Sequence, residues 1–593
     1  MSQAITELPT WDLDALFPGF ESEKFRSTWN QVAGQLQDLQ EFIERHRIGR
    51  DDAATDRATF EALLDKLNTF GDTLGPLFAY VLMRVDTDSA DAEAQAKLSE
   101  LELLHLEFQK LRPRLQRWLA GLEAEAVGAG DYRILIEEAK VLAQHLMSEA
   151  EEVLAAELSL SGGRAWVKLH GNLTSQITAV LNGEEQPITA VRNLAMHPDE
   201  AVRKAAYEAE LKAWKANEVA LAAALNGYKG EVSTLNRKRG WEDDLAPALF
   251  ENRIGRKTLE ALQQAMVESL PHWRRYFAAK ARALGKERLD WWDLFAPIVR
   301  PGQTPKKWSW EEGRRFIVEH LSGFSQAAAD LAERAYAEGW MDAPPRKGKV
   351  GGAYCTPVGQ GASRILLNHE NSFESISTLA HELGHAYHNY CLREVPYLLR
   401  QEPMTLAETA SIMNETVIGE AALRVLPPAD QLGVLEGGLQ SAAQVIVDIH
   451  SRFLFEQAVF ARRRARELSA EEFCGLMLEA QQATYGEALA TYHPYMWAVK
   501  GHYYGSNFYN FPYAFGLLFG LALYQRYRQE GPGFVARYEE LLASVGRYPA
   551  EQLAARFWLR SGVGGLLAGG DGRAAGPHRA FRGVAKPMME NKI

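Results

Sequence analysis

Apolar residues recur at three- and four-residue steps along most of this chain, and that period predicts a mainly α-helical protein. Leu104, Phe108, Leu111, Leu115, Trp118, Leu119 and Leu122 form one such stripe. Pro113 lies inside it. A residue without an N–H, whose ring crowds the preceding turn, predicts a kink or break there. From Asp199 to Leu225 the chain is rich in Ala, Glu and Lys and has no Gly or Pro, with Pro198 just ahead as a start signal. This predicts a second core-facing helix. Ser372 is placed to cap a third, in which Phe373, Ile376, Leu379 and Leu383 share an apolar side.

Strand patterns are few. Gln176 to Leu181, then Asn182-Gly183, then a second short run predicts a β-hairpin near 176–191, because Asn-Gly suits a type I′ turn. A second hairpin is expected from Lys349 through Ala353-Tyr354-Cys355, turning across Pro357 to Gly361 and returning along Arg364 to Leu367. Arg300 to Pro305 and Ala343-Pro344-Pro345 read as loops. No internal repeat is visible. The chain therefore divides into an N-terminal helical region, 1–198, a region 199–560 that carries the chemistry below, and an atypical tail, 561–593. Seven glycines fall in the 17 residues from Ser561 to Pro577, and a basic stretch follows. Disorder is expected there, or a segment that is not the evolved end of the protein, as a frameshifted or replaced terminus would give.

Composition narrows the class. With 593 residues, 47% hydrophobic and 24% charged, the chain can bury several cores. A net charge of −12 without a Lys/Arg-rich block gives no support to nucleic-acid binding. Met1 to Glu7 has neither the basic nor the apolar region of a secretory signal. The apolar run from Ala514 to Tyr524 is too short to span a bilayer. Three cysteines, Cys355, Cys391 and Cys474, cannot build a disulfide framework, and Cys355 and Cys391 read as small buried apolar residues. A cytoplasmic protein is expected, with no membrane or nucleic-acid partner.

The chemistry concentrates at His381-Glu382-Leu383-Gly384-His385. This H-E-x-x-H spacing sets two imidazoles one turn apart on one helix face, where they can bind zinc, with the carboxylate between them beside the metal's open position. Gly384 costs the helix roughly 1 kcal/mol against alanine, a cost that close approach of another backbone or of substrate would justify. A third ligand is needed. His388 is one candidate, but it lies a further turn along. The metzincin pattern fails, since position 388 is His rather than Gly and position 391 is Cys rather than His. Glu408, in Leu406-Ala407-Glu408-Thr409-Ala410-Ser411, is the better candidate, at the start of a second helical pattern. Glu415 shares its face and either orients a ligand histidine from behind or is a plain helix glutamate. Zinc draws the pKa of water toward ~7. Glu382 then takes the proton of the attacking water and passes it to the leaving amine. The oxyanion formed on a peptide carbonyl needs further donors. His502 to Tyr513 supplies one imidazole and four phenols within 12 residues. His502, Tyr509 and Tyr513 are assigned to function, Phe508 and Phe511 to the core. His₂Glu favours zinc, one ion per chain, although cobalt or manganese can occupy such sites.

Taken together, His381 to His388, Glu408 to Ser411 and the His502–Tyr513 cluster resemble the thimet oligopeptidase and oligoendopeptidase F family of zinc metallopeptidases, and the oligoendopeptidase F branch more closely. Trp11-Asp12-Leu13-Asp14-Ala15-Leu16-Phe17, Asp293-Leu294-Phe295-Ala296-Pro297 and Gly352-Ala353-Tyr354 extend the likeness, which covers roughly residues 8–558. The resemblance implies a two-lobed helical metallopeptidase with a deep substrate channel and a small β-sheet beside the zinc helix. It implies cleavage of internal bonds in short unstructured oligopeptides. It also implies Glu408 as third ligand, a substrate backbone paired at Gly352, Ala353 and Tyr354, and a carbonyl oxygen held by His502 and the tyrosines near 509 and 513. A dipeptidyl carboxypeptidase, also within the wider family, is the alternative; it would need a cation for the substrate's terminal carboxylate, which the sequence does not place. A catalytically dead peptide-binding protein would show a broken Glu382 or ligand, and none is broken. An aminopeptidase would need an acidic anchor, and none is identified.

Overall fold

The computed structural model describes residues 8–298 and 306–559. The 561–593 tail, the Arg300–Pro305 loop and the first seven residues lie outside the described residues. The described chain is mainly helical with five short strands, and it forms two compact units. One gathers the described residues within Met1–Leu146, Lys306–Val425 and Leu523–Gly562; the other gathers those within Met147–Pro305 and Leu426–Ala522.

In the first unit the Leu104–Leu122 stripe is two helices, Ala92–Gln109 and Arg112–Ala120. Pro113 stands in the first turn of the second, where its missing N–H has no partner to lose. Leu111, Leu115, Trp118 and Leu122 are buried in a core built on the Arg57–Thr87 helix. Phe17 and Phe20 meet Tyr80 of that helix edge-on, with ring centroids 5.1 and 5.6 Å away. That contact, together with Asp12 N–H donating to Gly339 O at 2.8 Å, fixes the Trp11–Phe17 segment under the small sheet.

The sheet has three strands. Ala362–Leu366 runs between Met341–Asp342, parallel to it, and Tyr354–Gly359, antiparallel to it. The expected hairpin is therefore present, but its turn is Gln360-Gly361, both left-handed at φ 53° and 68°. Pro357 belongs to the strand. It is tolerated there because Tyr354–Gly359 is the edge strand, and the register slips between Pro357 and Gly359.

Against the sheet packs the Phe373–Cys391 helix, capped by Ser372, whose Oγ accepts from Ser375 N–H at 3.1 Å. Its principal neighbour is the Thr409–Val425 helix. Gly384 is what lets them touch. A Cβ at this position would sit 2.5 Å from Ala410 O and from Ser411 Cα, both backbone atoms that cannot step aside. Gly384→Ala therefore forces the two helices apart despite its better helix propensity. We expect a loss of about 1–3 kcal/mol in denaturant unfolding, together with weaker metal retention. A stability equal to or above wild type would contradict this packing.

The second unit holds the other hairpin, Thr178–Leu181 with Glu184–Pro187, joined by Asn182 and Gly183 at φ 54° and 85°, as a type I′ turn requires. The helix that begins after Asp199 runs past Leu225 to Lys238. Its Ala206, Ala209, Ala213, Trp214, Leu221 and Leu225 are buried with residues of the Ile449–Arg463 and Ala470–Tyr485 helices. The Ala514–Tyr524 run lies within the Phe511–Glu530 helix, and Ala514, Phe515, Leu518 and Phe519 are core. Among the described residues no helix is long and apolar enough to cross a membrane.

Candidate active site

The H-E-x-x-H segment occupies the middle of the Phe373–Cys391 helix, and the His381 and His385 rings lie 5.0 Å apart, centre to centre. Glu408 stands at the break between the short Met404–Ala407 helix and Thr409–Val425, the helix held close by Gly384. Its Oε2 lies 3.1 Å from His381 Nε2 and 3.5 Å from His385 Nε2. Three ligands about 2.0–2.1 Å from one tetrahedral ion would be separated by edges of about 3.3 Å, so these separations fit a zinc-sized cation. One donor atom from each residue lies within 4.8 Å of the others. Ser411 Oγ donates to Glu408 Oε2 at 2.8 Å and holds the carboxylate in this orientation.

Glu415 and His388, which the sequence left ambiguous, separate clearly. Glu415 Oε2 lies 3.0 Å from His381 Nδ1, the nitrogen turned away from the cluster, so it fixes the ring and leaves Nε2 for a ligand bond. His388 is buried and faces elsewhere. Its Nδ1 lies 2.9 Å from Glu402 Oε2 and its Nε2 is 3.2 Å from Leu542 O, which ties it to other elements of the unit.

The two carboxylates and the histidines shift one another's titration. Burial works to lower the His381 pKa, but hydrogen bonds to Glu408 and Glu415 and their charges outweigh it and push it well above the usual histidine range. Burial works to raise the Glu408 carboxyl, but His381 and His385 overcome it and keep it ionised. Glu382 is the contrasting carboxylate. It is 5% exposed, and its Oε2 is buried without a hydrogen-bond partner among the described residues. Burial raises its pKa, the two histidines lower it and Glu408 raises it, with a net upward shift. A buried carboxylate oxygen without a partner among the described residues, set between the two histidines, suits a proton acceptor.

The other residues singled out by the sequence fall on two further segments. Gly352 has φ 82°, and its carbonyl accepts from Asn368 Nδ2 at 3.0 Å, which sets the entry to the edge strand that Tyr354 begins. Tyr354 is anchored through its hydroxyl to Asp86 at 2.8 Å. Beside it, burial and then the charge of Glu382 push the Cys355 thiol up, so it stays neutral; burial pushes Cys391 up to about 12.

In the second unit His502, Tyr509 and Tyr513 form one ring cluster, with centroids 4.8, 5.3 and 6.4 Å apart. Partial burial and the charges of Arg452 and Lys500 push the His502 pKa down, which leaves a neutral imidazole. The other two phenols turn inward. Tyr504 stacks on His170 at 3.8 Å and Tyr503 packs on Phe455, while Phe508 and Phe511 are buried as expected. Sequence reasoning gave Ser411 no role. Its spacing of three from Glu408 was the available signal.

Comparison with known proteins places this geometry. The chain matches the Peptidase family M3 pattern over residues 193–561. It is 26% identical to the Oligopeptidase PepF of Bacillus subtilis over 574 residues, spanning 92% of this chain and 82% of that one. It is 25% identical to an Oligoendopeptidase F homolog of Lactococcus lactis, spanning 93% of each. The crystal structure of oligoendopeptidase-F from Enterococcus faecium superposes with a TM-score of 0.67 over 95% of this chain and 98% of that one, at 17% identity, which speaks to the fold. The helical architecture, the ligand-like cluster on the Phe373–Cys391 helix and a match covering most of the chain lead to one conclusion: this chain belongs to peptidase family M3 and is a metallo-oligopeptidase.

Proposed function

We propose that the protein is a zinc-dependent endopeptidase that hydrolyses internal bonds of short unstructured oligopeptides. The observation that carries this reading is the convergence of His381, His385 and Glu408 beside the unpartnered oxygen of Glu382. A zinc ion held by those three residues would supply Lewis acidity, acidifying water and polarising the scissile carbonyl. Glu382 accepts the proton of the attacking water and returns it to the leaving amine, so that a neutral amine departs. Tyr509, Tyr513 and the neutral His502 donate to the oxygen on which charge develops. Tyr354–Gly359, entered at Gly352-Ala353-Tyr354, is an edge strand, the position at which an extended peptide can add by backbone pairing, which favours unstructured substrates. The relatives' names, oligopeptidase and oligoendopeptidase, support the same substrate class. Three unpaired cysteines support a cytoplasmic setting.

Two substitutions probe the parts separately. Glu415→Gln leaves the three ligands in place but loosens His381, and the zinc dissociation constant should rise about 10–100-fold; unchanged affinity in a chelator competition would remove Glu415 from the site. Tyr513→Phe and Tyr509→Phe each delete one phenolic donor, and the more important of the two should lower kcat by about 10²–10³ with KM little changed. Wild-type kcat in both would remove the tyrosines from oxyanion binding. The cleavage pattern tests the overall reading. Mass spectrometry of a graded peptide mixture should show internal cuts, while stepwise loss of C-terminal dipeptides would move the assignment to a dipeptidyl carboxypeptidase.

A further inference from the structure

We infer that the buried Lys229–Glu456 ion pair is a positioning device for the segment that carries Tyr509 and Tyr513. The inference rests on the donor role proposed above for those tyrosines. Lys229 lies on the Glu200–Lys238 helix and Glu456 on Ile449–Arg463, and their side chains are 1% and 2% exposed. A buried pair must satisfy its remaining protons and lone pairs, and the pair itself does not dictate which groups do so. Here most of its hydrogen-bonding capacity goes to one segment. Lys229 Nζ donates to Glu456 Oε1 at 2.6 Å, to Ser506 O at 3.0 Å and to Asn507 Oδ1 at 3.1 Å, which uses all three ammonium protons. The other carboxylate oxygen, Glu456 Oε2, accepts from Asn510 Nδ2 at 2.9 Å. Asn510 Oδ1 in turn accepts from Phe511 N–H at 2.7 Å, at the start of the helix that carries Tyr513.

Both ends of the 506–510 segment are thus anchored to one ion pair, and Tyr509 lies between the anchors. The backbone shows the constraint. Phe508 adopts φ 53°, a left-handed conformation that a bulky residue takes only when its surroundings impose it. Its ring stacks on Phe460 at 5.4 Å and contacts Phe453 at 5.7 Å, while Lys229 Nζ lies 4.8 Å over the Phe460 ring. With Phe508 turned inward and its neighbours tied to Lys229 and Glu456, Tyr509 is held in the ring cluster with His502 and Tyr513. Buried ion pairs are weak contributors to stability, and apolar replacement of both partners is often tolerated. That makes the positioning role separable from folding.

The test uses the zinc-loaded full chain carrying Lys229→Met and Glu456→Met together. This double variant removes both charges without stranding either, and it deletes the bonds to 506, 507 and 510. Asn510→Ala, which leaves the ion pair intact and cuts its second anchor, serves if the double variant does not fold. Expected are a kcat lower by about 10²-fold, the effect of displacing a catalytic group by about 1 Å, with KM and zinc content unchanged. A phosphinic peptide mimicking the tetrahedral oxyanion should bind more weakly by a similar factor. Adding Tyr513→Phe should lower kcat little further, because both changes act through the same donors. Wild-type kcat in the foldable variant, or losses that multiply with Tyr513→Phe, would overturn the inference. If Tyr509→Phe and Tyr513→Phe themselves leave kcat intact, the donor reading fails and this inference fails with it. If they lower kcat while the Lys229 and Glu456 changes do not, only this inference fails.

Discussion

Glu382→Gln should lower kcat by about 10²–10⁴-fold, the range for loss of a positioned general base, while the protein stays folded and keeps its zinc. The expectation follows from where the side chain stands. Glu382 lies between the two histidines on their helix, 5% exposed, and its Oε2 has no partner among the described residues. No hydrogen bond to that oxygen is lost when it becomes an amide, so stability has little reason to change. Proton capacity is lost: an amide cannot take a proton from water or return it to the amine. Because the substrate binding and metal ligation proposed above use other groups, KM and metal content should remain near wild type. Turnover retained at more than a tenth of wild type would take Glu382 out of the proton-transfer role.

Glu408→Ala should reduce zinc content from one ion per chain to a small fraction after gel filtration, and activity should fall in proportion. Glu408 Oε2 is the atom that both His381 Nε2 and His385 Nε2 approach, at 3.1 and 3.5 Å. Without it, two imidazoles remain on one helix face, one ligand short of a catalytic zinc site. His388 cannot replace it, since it is buried against Glu402 and the Leu542 carbonyl. Glu415 is the nearest substitute, yet it already engages the far nitrogen of His381. Stoichiometric zinc in the Glu408→Ala protein, measured by native mass spectrometry, would assign the third ligand elsewhere, with Glu415 the first to test. Glu408 also receives the Ser411 hydroxyl, so circular dichroism should accompany the metal count to separate lost ligation from a frayed Thr409–Val425 helix.

Much of this arrangement is legible in the sequence because it is local. The period of the apolar residues gives the helices, Asn182-Gly183 gives its hairpin, and the H-E-x-x-H spacing places two imidazoles on one face without reference to the rest of the chain. Gly384 is a case where a local cost announces a distant contact. Its penalty in a helix predicts a close neighbour, and the neighbour is the backbone at Ala410 and Ser411. What the sequence leaves open depends on which side of a helix meets which partner. His388 and Glu408 are both chemically suitable ligands; helix geometry already ranks Glu408 first, and the contacts of Glu402 and Leu542 with His388 show where His388 is used instead. Glu415 looks like any helix glutamate until its distance to His381 Nδ1 is known. The turn expected across Pro357–Gly361 contracts to Gln360-Gly361, because Pro reads as a turn residue by default, and tolerance of Pro in a strand depends on that strand being an edge. Lys229 and Glu456 gave no signal, since partners 227 positions apart form no linear pattern.

Metal dependence and cleavage position can be read in one experiment. The purified protein is stripped with a chelator and titrated back with zinc, and an internally quenched peptide is followed both by fluorescence and by mass spectrometry of its products. Activity should vanish on stripping and return linearly up to one equivalent of zinc per chain, with every product arising from an internal bond, and Glu408→Ala protein should regain little over the same range. Turnover that survives complete removal of metal, or that returns equally well in the Glu408→Ala protein, would contradict a zinc endopeptidase centred on His381, His385 and Glu408.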